Sequence, residues 1–446
     1  MHTLILFGAS GDLAKEKLYP ALFDLFQAGE KLRCIGFART PLDEKAFRTL
    51  IHNAIRGQKK NAAADDVEKF LKHCSYVSGA YDQASIAHLK KHLTQLTATE
   101  HAGRLSFYLA TPMDHTLIRN IVGGLMKNDL IDSECAIALE KPFGFDGPSA
   151  QKINRVLARS FNEEQIYRLD HYLAKGMVQD LLALRFANPI FEPVWNARHI
   201  ERIDIAINET AGIRKRGQYY EQSGAIRDML QNHALQLLAF TAMDQPESLQ
   251  AASIHQEKIQ VFRRLRLFGG QGIENIRIGQ YRGYHEEAFV DPQSLTETSA
   301  ALCLEIDTPR WRGVPITVAS GKKMGSRSTD ITILFRKKEY SLWDEMNHQL
   351  AQNSFHINIQ PDNDIRLRLN SEFDSQKKSV HPTDLRFGFL DNARLFKDPY
   401  ENALHDFFHR DQGIFLNAKE IALSWKLIDS VLRLIAPVRE KILQIY

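Results

Sequence analysis

The stretch TLILFGASGDL, residues 3–13, decides the fold of half the chain. An apolar, β-branched run from Thr3 to Phe7 meets a tight glycine-containing turn, after which Leu18, Ala21, Leu22 and Leu25 recur at helical spacing. A second apolar run, Leu32 to Ala38, ends at Arg39. Strand, turn, helix, strand is a βαβ unit, which implies a parallel sheet with helices on its faces. Leu105 to Ala110 and Ala136 to Leu139 fit as later strands of that sheet.

Beyond about residue 190 the period changes. Ile203, Ile205, Ile207; Leu302, Leu304, Ile306; Ile331, Ile333, Phe335; and Ile365, Leu367, Leu369 alternate with polar residues, as half-buried antiparallel strands do. One face of such a sheet covers helices of its own domain, and the other is suited to meet a second subunit.

The totals agree with two domains, because 446 residues exceed what one core usually holds. Hydrophobic residues at 44% and charged residues at 25% suit a soluble globular chain. Lys plus Arg at 57 against Asp plus Glu at 54 gives a formal +3, too little to hold nucleic acid or a membrane surface by bulk charge. Cys34, Cys74, Cys135 and Cys303 are widely spaced, with no CxxC pair, so they read as reduced thiols and announce no metal site. No apolar run approaches the roughly 18 residues of a membrane span, and the first residues show no signal-peptide pattern. A cytoplasmic protein is expected.

Gly8, Ala9, Ser10, Gly11, Asp12 and Leu13 lie where backbone N–H groups at a helix N-terminus can receive a pyrophosphate. The glycines make only a partial dinucleotide fingerprint, and such a turn also serves as a purely structural device. The end of the second strand therefore discriminates. NAD enzymes tend to place Asp or Glu there, whereas this chain places Arg39 and then Thr40. A guanidinium suits a 2′-phosphate and stacks on adenine, so NADP is the expected cofactor. The alternative is a solvated arginine that merely ends a strand.

Three further clusters carry chemistry. EKPFG, residues 140–144, puts Lys141 at the carboxyl end of a strand, where ligands bind in open α/β sheets, with Pro142 offering a fixed and cis-capable peptide bond. A solvated lysine in a surface turn is the bland reading. RLDHYLAK, residues 168–175, packs Asp170, His171, Tyr172 and Lys175 together. His, Tyr and Lys can donate to a phosphate, and the carboxylate can orient an imidazole; a capping segment is the alternative. IRDMLQNHALQLLAF, residues 226–240, reads as a helix with Met229, His233 and Leu237 on one face. On α-helical spacing Asp228 lies about 140° away from His233, and a histidine on an apolar stripe is more often a satisfied core residue than a base.

Taken together, GASGDLAKEKLYPAL, a second strand ending in FART, EKPFG, RLDHYLAK, RDMLQNH, DPQSLTET, GVPITVASGKK and, near the C-terminus, YENALHDFFHRDQGIF resemble the glucose-6-phosphate dehydrogenase family in content and order. The resemblance implies an α/β plus α+β protein. An N-terminal Rossmann dinucleotide-binding domain would span 1–176, and a substrate-binding and dimerisation domain with a large antiparallel sheet would span 177–446. It implies that His233 is the general base for the C1 hydroxyl of a hexose 6-phosphate and that Asp170 orients and stabilises it. His171, Tyr172 and Lys175 match phosphate binders. Lys141 matches a residue touching sugar and cofactor; Lys17, Glu209, Asp228, Lys322 and Arg327 match residues around the sugar and its phosphate. Tyr108 is expected among the cofactor contacts beside the turn and Arg39. The implied product is a 6-phosphoglucono-lactone, and the implied assembly a homodimer or homotetramer.

Three positions depart from the family pattern. Phe145 replaces arginine, Gly176 replaces an acid, and Ala319 stands where a basic residue is common. These departures keep open a related hexose phosphate as substrate and leave a second nucleotide site in question. A homologue that kept the fold without turnover is a third reading, against which the intact Asp170 and His233 argue.

Overall fold

A computed structural model describes residues 1–97, 103–112, 114–270, 272–337, 343, 350–376, 379–388 and 398–446. The chain divides into two compact units, neither continuous in sequence. One comprises Met1–Ala174, Leu249–His255 and Leu395–Ala422; the other comprises Lys175–Ser248, Gln256–Arg394 and Leu423–Tyr446. The sequence reading divided the chain once, after 176, whereas the structure returns it to the first unit twice.

The first unit is built on β1 (His2–Phe7), β2 (Leu32–Ala38), β3 (Cys74–Ser78), β4 (Arg104–Leu109), β5 (Ala136–Leu139) and β6 (Ile166–Leu169). Their order is β6-β5-β4-β1-β2-β3, and all neighbours are parallel. This is the doubly wound order in which β1 pairs with both β2 and β4, and ligands bind at the carboxyl ends where the winding reverses. Both faces are covered, so Leu4, Ile5, Leu6 and Phe7 are wholly buried and β1 is a continuous apolar run rather than an alternating one.

The seventh strand of this sheet, Phe415–Leu416, comes from the far end of the sequence and pairs antiparallel with β6. Buried Arg168 fastens it. Its guanidinium donates to both carboxylate oxygens of Glu163, at 2.7 and 3.1 Å, and to the carbonyl of Leu416 at 3.3 Å. The helix Pro399–His409 precedes that strand. Asp398 caps it, Glu401 reciprocates, and Pro399 occupies its first position, the composition that starts a helix cleanly.

The second unit holds a ten-stranded sheet among the described residues. Its centre is β7 (Ile200–Asn208), where Ile203, Ile205 and Ile207 are buried. Ser328–Phe335, Ser354–Gln360, Asp364–Asp374 and Ser379–Gly388 follow on one side, each antiparallel to the last. On the other side lie Ile316–Gly321, Ser299–Ile306, Ile276–Gln280 and Leu443–Ile445, with Leu265–Leu267 also paired to Ser299–Ile306. Two pairs depart from the antiparallel expectation: β7 with Ile316–Gly321, and Ile276–Gln280 with Leu443–Ile445, are parallel. Long connections containing helices join the partners in each case, which is the condition for parallel pairing. No helix among the described residues is long and apolar enough to cross a membrane.

Candidate functional site

In the first unit the turn after β1 is locked by its own backbone. Gly8 N–H donates to Phe37, and Gly11 N–H donates to Gly8, both at 2.9 Å. Gly8 has φ +83°, and a Cβ there would lie 2.4 Å from the carbonyl oxygen of Ala110 at the end of β4. Glycine is therefore required where β1 and β4 diverge. Buried Tyr19 donates its hydroxyl to the carbonyl of Ala9 at 2.5 Å. The helical run leaving the turn passes through a π segment, Ala14–Leu18, before the α-helix Tyr19–Gln27. Lys17 is exposed on that segment and bridges to Asp398 at 3.1 Å.

Arg39 is exposed at the end of β2, and the Ser10 and Thr40 hydroxyls lie 2.8 Å apart, joining the two turns. Tyr81, at φ +65°, is packed against Phe7 and Phe37, close to Gly8 and Arg39. Burial pushes its hydroxyl up. A glycine-bounded turn at the winding reversal, opening into a helix and flanked by an exposed guanidinium, fits a dinucleotide. Tyr19 and Tyr81 were not singled out in the sequence, because neither stands in the turn that they hold.

At the end of β5 the Lys141–Pro142 peptide is cis. Beside Lys141, Glu140 is buried and accepts the Tyr108 hydroxyl at 2.6 Å, with Tyr400 as a second partner. Burial pushes the Glu140 carboxyl up to about 7, with nearby Asp170 adding to the rise, while Tyr108, Lys141 and Tyr400 oppose it. The Tyr108 hydroxyl, expected among the cofactor contacts, is thus given to Glu140. Asp170 is buried and accepts the N–H of Tyr172 at 3.0 Å, shaping the turn that follows β6. The His171 ring stacks parallel to Tyr400 at 6.3 Å.

The second unit gathers a different set. Gly321 and Ser328 both stand opposite Asn208, the last residue of β7, in strands flanking it. Glu209, Lys322 and Arg327 are the next residues beyond those three positions, so all three converge at one end of β7. Only the parallel pairing that the sequence did not foresee allows Lys322 to meet Glu209; antiparallel strands would send them to opposite ends. Lys322 Nζ donates to Glu209 at 2.5 Å, lies 3.8 Å from Asp228, and sits 5.2 Å from the centre of the Tyr220 ring. Glu209, Tyr220, Lys322 and Arg327 line an open cavity of about 740 Å³, shared with Arg214, Lys215 and Arg216.

Asp228 and His233, both buried, belong to a π-helical segment, Ile226–Ala234, which runs into the α-helix Leu235–Ala242. This corrects the α-helical spacing assumed above. With i→i+5 bonding, residues five apart are one turn apart, so Asp228 and His233 share a face. Tyr219 donates to Asp228 at 3.0 Å. The segment follows a kink at Gly224, φ +60°, where a Cβ would press on the Glu297 carboxylate at 2.4 Å. Glu297 accepts the Ile226 N–H and is held by Arg439 at 2.6 Å, a negative charge at the positive end of the helix. Within DPQSLTET, Glu297 thus anchors the His233 segment, and the carbonyl of Thr298 accepts the Lys322 N–H at 3.0 Å.

A model of the glucose-6-phosphate dehydrogenase NAD-binding domain matches residues 5–180, and one of the family's C-terminal domain matches residues 182–446. The chain belongs to the glucose-6-phosphate dehydrogenase family. Its relatives include the glucose-6-phosphate 1-dehydrogenases of Chlamydia muridarum and Bacillus subtilis, each 35% identical over 96% of this chain, covering 89% and 90% of those proteins. A solved glucose-6-phosphate dehydrogenase in complex with glucose 6-phosphate superposes with a TM-score of 0.92 at 30% identity, over 100% of this chain and 94% of that one. The first unit of this family member is accordingly its nicotinamide dinucleotide domain, and the Rossmann-plus-large-sheet architecture expected from the motifs is the one observed.

Each predicted residue falls within one of the two units. Gly8–Leu13, Lys17, Arg39, Tyr108, Lys141, Asp170, His171 and Tyr172 lie in the first; Lys175, Glu209, Asp228, His233, Lys322 and Arg327 lie in the second. Lys175 is buried at the start of the helix Gly176–Phe186. The departures have plain surroundings. Phe145 is exposed, Gly176 opens that helix, and Ala319 stands in register between Ala206 and Ala301, a row of three small side chains.

Proposed function

We propose that this chain oxidises D-glucose 6-phosphate at C1 to 6-phospho-D-glucono-1,5-lactone with NADP, the first step of the oxidative pentose phosphate pathway. The observation that carries the reading is the convergence of Glu209, Lys322 and Arg327 on one cavity, with Asp228 3.8 Å behind Lys322, in a chain whose family is that of glucose-6-phosphate dehydrogenase. Such a mix of cations and carboxylates suits the surroundings of a phosphorylated sugar.

In this reading His233 takes the proton of the C1 hydroxyl, and Asp170 stabilises the imidazolium that results. His171, Tyr172 and Lys175 hold the phosphate; Lys141 and Lys17 contact the sugar. NADP, when bound, accepts the hydride from C1. Gly8 to Leu13 would receive its pyrophosphate and Arg39 its 2′-phosphate. The assembly is a homodimer or homotetramer in the cytoplasm; exposed Leu385, Phe387 and Phe373 on the outer strands of the large sheet support self-association. The test is nicotinamide absorbance with purified protein, NADP or NAD, and a panel of hexose phosphates. Fastest turnover on glucose 6-phosphate with NADP is expected; a clear preference for another sugar phosphate, or no NADPH with any, overturns the reading.

A further inference from the structure

Away from this machinery, at the start of β1, the first unit brings together three donors far apart in sequence: His2, Glu30 and His409. One Glu30 oxygen lies 3.8 Å from His2 Nε2 and the other 3.5 Å from His409 Nε2. All three donor atoms lie within 4.8 Å of one another. These separations are too long for hydrogen bonds. They approximate the edge of a tetrahedron with metal–ligand bonds of about 2.0–2.1 Å, which is roughly 3.4 Å.

The surroundings favour ligation over a loose ion pair. His409 Nδ1 is 2.9 Å from the carbonyl of His405, the second contact that fixes a ligating imidazole with its Nε2 lone pair directed outward. The His2 ring stacks on Phe408 at 5.1 Å, so it is held without spending Nε2. Glu30 follows Gly29, at φ +98° in the turn that ends the helix Tyr19–Gln27, which sets the carboxylate between the two rings. The spacing along the chain could not announce such a set, because its members come from a strand, a turn and a distant helix.

We propose that His2, Glu30 and His409 form a binding site for a zinc-class divalent ion, three protein ligands with a fourth position open to solvent. Two imidazoles and a carboxylate are a donor set that zinc accepts readily. The ion would clip the beginning of β1 to the returning helix Pro399–His409, and so act on the stability of the first unit rather than on turnover.

The test uses the untagged full chain. Titration with ZnCl2 by calorimetry should give one site per chain, Co2+ should show the intense visible bands of a tetrahedral site, and zinc should raise the thermal midpoint. His409→Ala, at an exposed position, should weaken binding more than about tenfold and abolish the thermal shift, with basal activity unchanged; Glu30→Gln should do the same. Absence of binding at micromolar metal overturns the proposal. So does binding of unchanged stoichiometry and affinity in both variants, which would place the ion elsewhere.

Discussion

Tyr108 gives its hydroxyl to the buried carboxyl of Glu140 across the neighbouring strands β4 and β5, at 2.6 Å. The pair sits beside Lys141, at the carboxyl ends of the strands, and Tyr400 from the returning helix completes the ring of donors. A glutamate so enclosed retains a proton that an exposed one would release.

Glu140 therefore makes stability depend on pH. Its folded carboxyl titrates at about 7, against about 4.5 when unfolded, so the folded state holds the extra proton between those values. Stability contributed by this group falls as pH rises through that window and is level above it. Glu140→Gln should flatten the dependence and be the more stable protein above neutrality, by on the order of 3 kcal/mol. Urea unfolding of both proteins on either side of the window checks this; parallel pH profiles would refute it.

Glu163 neutralises a guanidinium that is almost wholly buried and also accepts the Ala418 N–H at 2.8 Å. Glu163→Ala should cost roughly 3–5 kcal/mol, because it strands the Arg168 charge. The double variant with Arg168→Met should recover much of the loss. Chemical unfolding measures both, and a single variant within about 0.5 kcal/mol of the parent would contradict the assignment.

His233→Asn should lower kcat by about two to four orders of magnitude while leaving sugar-phosphate affinity nearly intact, as removal of a base does. Asp170→Asn should also reduce kcat and shift the acid limb of the pH–rate profile. Steady-state kinetics decide: unchanged turnover in the His233 variant excludes it as the base.

Arg39→Ala should raise KM for NADP by about ten- to a hundredfold, equivalent to ~1.4–2.8 kcal/mol, with little change for NAD. Equal effects on the two dinucleotides would remove the case for 2′-phosphate recognition.

The parallel sheet was legible because its signals are local. Apolar runs such as Leu32–Ala38 and the turn at Gly8 lie within one βαβ unit. The alternating isoleucines of β7 likewise declared a half-buried strand. What escaped the sequence is pairing over long separations. Nothing near residue 209 says that 322 will lie beside it, and the first N–H of the π segment Ile226–Ala234 is taken by Glu297, far along the chain. Tyr19 and Tyr400 stand inside quoted motifs and Tyr81 outside them, yet none was given a role, because a phenol in a core looks alike whether or not its hydroxyl is committed.

The strand Phe415–Leu416 has a bearing on how the protein is made. On a translating ribosome β1 to β6 emerge long before the segment that borders β6, and until it arrives Arg168 and Glu163 have no backbone to grip there. The outer edge of β6 is bare for that interval, and bare edges invite mispairing. Premature termination just short of the final helices would thus leave a nucleotide fold with every glycine and strand of its motif translated, yet without its border.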